Sequence, residues 1–313
     1  MGAGAALAVT ELRFLGLSWP ADYAPCVRLA TVMRVLFFVL VGGIGNAHAT
    51  DATSSRRVGR SAPQAGGRDP VEARCTQPVV LLYHAFDRGR SDLSASSASL
   101  ERHLTWLEQN QVEIITMDRF VAFLHGRERL PRRVAILTVD DGDATVYTRA
   151  WPILRRHQAH FVLGLPTRLM ESGRRGMLTW DQVREMVGSG LAEVVSHGHE
   201  HRGLTRLRPA EAARQLELSR RIIEERVGRA PVAFFYPLGA VDARAEDEVR
   251  RAGFDVAFTA QGAPMVAGVT NPMRIPRVTV RHDQSERGLA WYFGAKFWAP
   301  VARWQAGCEG PGG

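Results

Sequence analysis

Short apolar runs with β character alternate along the chain with stretches whose apolar positions recur at helical spacing. The runs fall at 79–83, 134–139, 160–165, 193–196, 232–236, 255–259 and 278–280. Amphipathic stretches lie between them at 100–109, 146–157, 180–189 and 210–227, and in the last of these Leu216, Ile222, Ile223 and Val227 recur at helical spacing. Strands apolar on both faces and separated by helices belong to a parallel sheet covered on both sides. Seven such units within about 220 residues predict an α/β fold, a distorted (β/α)7-type barrel in preference to a doubly wound sheet.

A different pattern precedes the first strand. The run 35–44, VLFFVLVGGI, is strongly apolar but about ten residues long, and a spanning helix needs roughly 20. Met33-Arg34 ahead of it and Ala47-His48-Ala49 after it complete the layout of a secretory signal peptide over 33–49, cut after Ala49. Residues 1–32 then read as an extension from an earlier start codon, and 50–78, rich in Ser, Arg, Gly, Pro and Ala, as a flexible linker. The folded domain is expected over 79–300, with a C-terminal tail at 301–313. A buried hydrophobic helix is the alternative for 35–44; export to the periplasm or the extracellular space is the expectation.

Composition narrows the picture. With 45% apolar and 23% charged residues the chain is too apolar to be disordered. It carries a formal charge of +8, and Lys296 is its only lysine. The cations are scattered, with no basic run and no basic–aromatic repeat, which argues against a nucleic-acid partner. Cys26 lies in the extension; Cys75 and Cys308, at opposite ends of an exported domain, either pair or stay as free thiols.

Four strand ends carry polar residues that packing does not require, and in barrels the chemistry sits at the C-terminal ends of strands. They are Tyr83-His84, Asp140-Asp141-Gly142, the set His197, His199 and His201, and Tyr236-Pro237-Leu238-Gly239. Adjacent carboxylates at the end of an apolar strand repel one another and lose hydration unless a cation offsets both. One Asp and two His form a common donor set for a catalytic metal that keeps positions open for water. Taken singly, a DDG sequence is also a turn and three close histidines a surface cluster; together on neighbouring strand ends they are far more specific.

Here the chain resembles the polysaccharide deacetylase family (NodB-homology, carbohydrate esterase family 4). Thr138-Val139-Asp140-Asp141-Gly142 is similar to its TFDDG motif, 196–201 (SHGHEH) to its SHTxxH motif, and 235–239 (FYPLG) to its third motif. The Leu-Leu-Tyr-His start and Arg274-Ile275-Pro276-Arg277 resemble the permuted subgroup that deacetylates poly-β-1,6-N-acetylglucosamine. The resemblance implies Asp141, His197 and His201 as ligands of a divalent metal, zinc first and cobalt, nickel or iron as alternatives. It implies Asp140 as general base, His84 as general acid with His282 as rival, and the Leu238 backbone N–H as an oxyanion donor. His199 receives no role. Val139, Asp143, Gly198, Phe235 and Leu238 depart from the family pattern: Asp143 puts a third carboxylate near the site, and Phe235 stands where many relatives carry the arginine that orients the base.

The implied activity is hydrolysis of N-acetyl groups from a β-linked N-acetylglucosamine polysaccharide. Alternatives are a peptidoglycan, chitooligosaccharide or lipid-linked sugar deacetylase, and a glycan-binding relative with a decayed site. The C-terminal aromatics Trp291, Tyr292, Phe293, Phe297, Trp298 and Trp304 read first as a packed terminal helix. Sugar stacking, or peripheral association with a membrane or an exopolysaccharide exporter, stays open beside that. Trp180 is assigned to the core, Glu193 and Glu200 to strand-entry and loop charges, and the oligomeric state is left open.

Overall fold

A computed structural model describes residues 73, 75–87, 91–282, 284–306 and 308. The signal segment 33–49, the extension before it, most of the 50–78 linker and the last residues of the tail lie outside the described residues.

The strands are β1 Gln77–Tyr83, β2 Glu113–Ile114, β3 Arg133–Val139, β4 Phe161–Leu165, β5 Ala192–Ser196, β6 Ala233–Phe235, β7 Val256–Phe258 and β8 Val278–Thr279. All pairings are parallel, in the order β7-β6-β5-β4-β3-β1-β8, and β2 pairs separately with β3. The sheet curls, and one segment joins its two ends: Ile275 bridges to Phe258 of β7, and Val278 pairs with Leu81 of β1. This is the expected distorted barrel, with the seven predicted strands in sequence.

The helices are α1 Ser97–Gln109, α2 Met117–Leu124, α3 Trp151–Arg156, α4 Thr167–Glu171, α5 Trp180–Gly188, α6 Pro209–Val227, α7 Ala243–Arg251, α8 Glu286–Tyr292 and α9 Ala295–Trp298. Ser96 caps α1, Thr116 caps α2, and a Thr179–Gln182 capping box starts α5. Pro209 opens α6 and Gly228, at φ 82°, closes it. The helix expected over 146–157 is broken in two, a π-turn at Val146–Ala150 followed by α3. Pro78, read as linker, is the second residue of β1, a position where proline's missing N–H is tolerated. Among the described residues no helix is long and apolar enough to cross a membrane.

Successive side chains on a strand point to opposite faces, and the two faces of this sheet sort cleanly. Val79, Leu81, Tyr83, Ala135, Leu137, Val139 and Leu163 join a cluster with α1, α3, α5 and α8. Val80, Val134, Ile136, Val162, Val195, Phe235 and Phe258 fill the interior with Phe120 and Phe123 of α2. Glu193, at the entry to β5, caps α2 by accepting the N–H groups of Met117 (2.6 Å) and Asp118 (3.2 Å).

Of the C-terminal aromatics, Phe293, Phe297 and Trp298 are buried, and Phe293 packs on Trp106 of α1 at 5.5 Å; Trp291 is 51% exposed. A 3₁₀ helix, Ala299–Gln305, follows, and Cys308 is bonded to Cys75 with a Cα separation of 5.1 Å. The bond closes a loop over a sequence separation of 233, so its removal should release much chain entropy on unfolding. Replacing both cysteines by serine is expected to lower stability by about 2–5 kcal/mol, read as a reduced urea midpoint. An unchanged midpoint would show that the bond contributes nothing.

Candidate active site

The same period of two that fills the barrel assembles the site. On the interior parity, Val80 and Leu82 lead to His84, Ile136 and Thr138 to Asp140, and Val195 to His197. Each of these polar residues sits one step beyond the end of its strand. Tyr83 pairs with Val139, and the Asp140 N–H donates to the Tyr83 carbonyl (3.0 Å), which sets His84 and Asp140 on adjacent strand ends. His197 follows β5, its N–H donating to the Leu165 carbonyl at 3.1 Å.

After Asp140 the chain turns sharply. Asp141 takes φ 71° and Gly142 φ 69°; His201 and Leu238 are also left-handed, at 56° and 61°. Non-glycine residues rarely adopt this conformation, and three here lie at strand-end loops bearing candidate functional groups. The Asp141 carboxylate lies 3.4 Å from His197 Nε2 and 3.2 Å from His201 Nε2, and the two imidazole nitrogens are 3.1 Å apart. One ligand atom from each residue falls within 4.8 Å of the others. His197 Nδ1 donates to the Phe235 carbonyl (2.9 Å), leaving Nε2 as a lone-pair donor toward Asp141. One carboxylate and two imidazoles, one with its tautomer set from behind, are chemically suited to a divalent cation with open positions.

Asp140, its Oδ2 3.7 Å from His197 Nε2, is gripped from the other side by an arginine. Arg277, 1% exposed, forms a fork with both carboxylate oxygens at 2.8 and 2.7 Å. Its Nε donates to the Thr259 carbonyl, and its guanidinium stacks 4.1 Å from the Phe235 ring centroid. Burial opposes charge on Asp140, but Arg277, with His197 and His84 beside it, holds the carboxyl below the ordinary carboxylate range. Burial likewise opposes charge on Asp141 and on His197. Hydrogen bonds from His197 and His201 nevertheless depress the Asp141 pKa, and the Asp140 and Asp141 carboxylates raise that of His197. The field that draws a proton onto His197 also favours a cation.

His84 is affected first by burial, which lowers its pKa, and then by Asp140, Asp141, Arg277 and His197, so it shares their electrostatic neighbourhood. Its Nδ1 is buried without a hydrogen-bond partner. The rival His282 is exposed; its N–H donates to the Asp92 carbonyl, and it lies two residues past Val280 of the helix-side cluster.

Asp143 is not a further carboxylate of the cluster: its Oδ1 accepts the Thr145 N–H (2.8 Å) and hydroxyl (2.5 Å) and so shapes the turn. His199 turns toward Thr167, Nδ1 to Oγ1 2.9 Å, and Glu200 is held by Gln215 and Arg168. Gly198 has φ 77°. The Ser196 hydroxyl accepts its N–H at 3.1 Å and so braces the loop between the two histidines. Gly164 explains how Asp140 and Phe235 come together: a Cβ there would sit 2.8 Å from Asp140 Oδ1 and 2.5 Å from the Phe235 ring. Leu238, 64% exposed, lies in the turn Pro237–Gly239, where the Gly239 N–H is taken by the Tyr236 carbonyl.

Arg277 is the residue that sequence reasoning missed. Phe235 had marked the absence of an orienting arginine; here that task falls to a residue from another strand entry, stacked on Phe235 itself. Its signal was present in the Arg274–Arg277 segment, noted as a family feature without a role.

Residues 127–257 match the family model described as polysaccharide deacetylase. A poly-β-1,6-N-acetyl-D-glucosamine N-deacetylase of Escherichia coli O157:H7 is 24% identical over 255 residues, covering 68% of this chain and 38% of that protein. Among solved structures, IcaB from Ammonifex degensii superposes with a TM-score of 0.60 at 26% identity, covering 74% of this chain and 97% of that one. The Streptococcus pyogenes deacetylase PplD, in complex with acetate, does so with a TM-score of 0.66 at 19% identity over 70% of this chain and 99% of its own, which supports the fold.

Proposed function

We propose that this chain, whose residues 127–257 match the polysaccharide deacetylase family model, removes N-acetyl groups from a β-linked N-acetylglucosamine polysaccharide, of the poly-β-1,6 type. The observation that carries the proposal is the pairing of the Asp141, His197 and His201 donor set with a separate, Arg277-held Asp140.

An acetamide is a poor electrophile with a poor leaving group, so its hydrolysis needs an activated water, a charge-stabilised carbonyl oxygen and a proton for the departing nitrogen. A divalent cation held by Asp141, His197 and His201, zinc in this proposal, supplies Lewis acidity and lowers the pKa of water. Asp140, kept ionised by Arg277, accepts the proton of the attacking water. The Leu238 N–H is the proposed donor to the developing oxyanion. His84 gives a proton to the sugar nitrogen as the C–N bond breaks, releasing acetate and the amine.

Acetate release from β-1,6- and β-1,4-linked N-acetylglucosamine oligomers tests the substrate assignment. Preference for the β-1,6 series supports it; turnover of β-1,4 oligomers alone would move the assignment to a chitin-like or peptidoglycan-like polymer.

Arg277→Met removes the cation that holds the Asp140 carboxyl down. Because the pKa of Asp140 then rises, the acid limb of the pH–rate profile should move to higher pH. Leaving a buried carboxylate unpaired should also cost about 3–5 kcal/mol of stability. Denaturant titration and the pH–rate profile check both effects; an unmoved acid limb would contradict the role given to Arg277.

Export through segment 33–49 is part of this proposal, supported by the 35–44 run and the Ala-His-Ala site after it. The secreted form should begin at Thr50, as N-terminal sequencing would show; a retained Met1 would refute it.

A further inference from the structure

Three elements meet behind His84 in a buried polar chain that the chemistry above leaves unused. Tyr83 Oη lies 3.0 Å from His103 Nδ1, and His103 Nε2 lies 2.8 Å from the Gln284 carbonyl oxygen. A carbonyl can only accept, so Nε2 carries the proton and the Tyr83 hydroxyl donates to Nδ1. Tyr83 ends β1, His103 is in α1 and Gln284 stands just before α8; Tyr83 and His103 are 1% and 0% exposed. Apolar side chains would fill this space without polar atoms to satisfy, so the chain does something packing alone does not require.

What it holds is the strand end from which His84 projects. Asp140 has a fork of two hydrogen bonds from Arg277 to orient it. His84 has nothing comparable, since its buried Nδ1 lacks a hydrogen-bond partner. Its placement therefore depends on the backbone of β1, and the last residue of that strand is the one anchored through His103. We propose that Tyr83 and His103 are positioning residues for the acid His84, fixing the end of β1 against the entrance to α8. This rests on the deacetylase reading above.

A misplaced acid hurts a basic leaving group most, whereas an aryl acetate ester leaves without needing a proton. His103→Leu and Tyr83→Phe, assayed as the metal-loaded protein, are therefore expected to lose about 10–100-fold in kcat on the acetamide substrate. On the aryl acetate their kcat should stay within about threefold, as should KM on both substrates. His103→Gln, whose amide can accept from Tyr83 and donate to the Gln284 carbonyl, should recover most of the loss. Tyr83→Phe keeps its ring in place and serves if His103→Leu fails to fold. A wild-type protein inactive on both substrates would overturn the deacetylase reading and this inference with it. An active wild type whose folded variants lose amide and ester turnover equally, or lose neither, overturns this inference alone.

Discussion

Replacing His197 and His201 together by alanine is expected to abolish both metal binding and acetate release while the barrel stays folded. The expectation follows from the donor set: with both imidazoles gone, Asp141 is left as a single carboxylate, and one carboxylate does not hold a divalent transition metal at a specific site. The fold survives because neither histidine is part of a hydrophobic cluster. The structural loss is mainly the bond from His197 Nδ1 to the Phe235 carbonyl, about 1–3 kcal/mol for a buried acceptor left unmet. Elemental analysis of the purified variant, with circular dichroism for the fold, checks it. Stoichiometric metal in the double variant would remove these two residues from the ligand set.

Asp140→Asn and His84→Ala should both be nearly inactive on the acetamide, each losing about 10²–10⁴-fold, yet differ on an aryl acetate. In the proposed mechanism Asp140→Asn removes the proton acceptor for water, a need shared by both substrates. It also leaves Arg277 facing an amide that cannot satisfy its fork as a carboxylate does. If His84 is the proposed proton donor, a need of the amine alone, His84→Ala should keep much more of the ester activity. The reverse pattern, leaving-group dependence in His282→Ala and none in His84→Ala, would transfer the acid role. The structure weighs against that transfer, because Asp140 and Asp141 act on His84 whereas His282 is exposed on the helix-facing parity.

Most of the barrel was legible because its strands are short, apolar and separated by helices with clear spacing. Period-two alternation then carries further than expected: once Val80, Ile136 and Val195 are inside, His84, Asp140 and His197 must follow on the same side. What stayed hidden depends on distance along the chain or on shortness. Arg277 meets Asp140 across a separation of 137 residues, and a buried arginine looks like any other in a chain with 40 basic residues. β2 is two residues long and has no periodicity to detect. Asp143 read as a site carboxylate because its neighbours are, although a Thr two residues on is the ordinary mark of a side-chain-capped turn. His103 gave no sign, since a lone histidine on an amphipathic helix is most simply a surface or core residue.

The most direct test of metal-dependent deacetylation is acetate release from N-acetylglucosamine oligomers by the purified protein, measured before chelation, after chelation, and after adding back Zn²⁺ or Co²⁺. Release that stops when elemental analysis shows the metal gone, and returns with the added ion, is the predicted result. Undiminished release from protein shown to be free of metal, or no release at any stage, would contradict it.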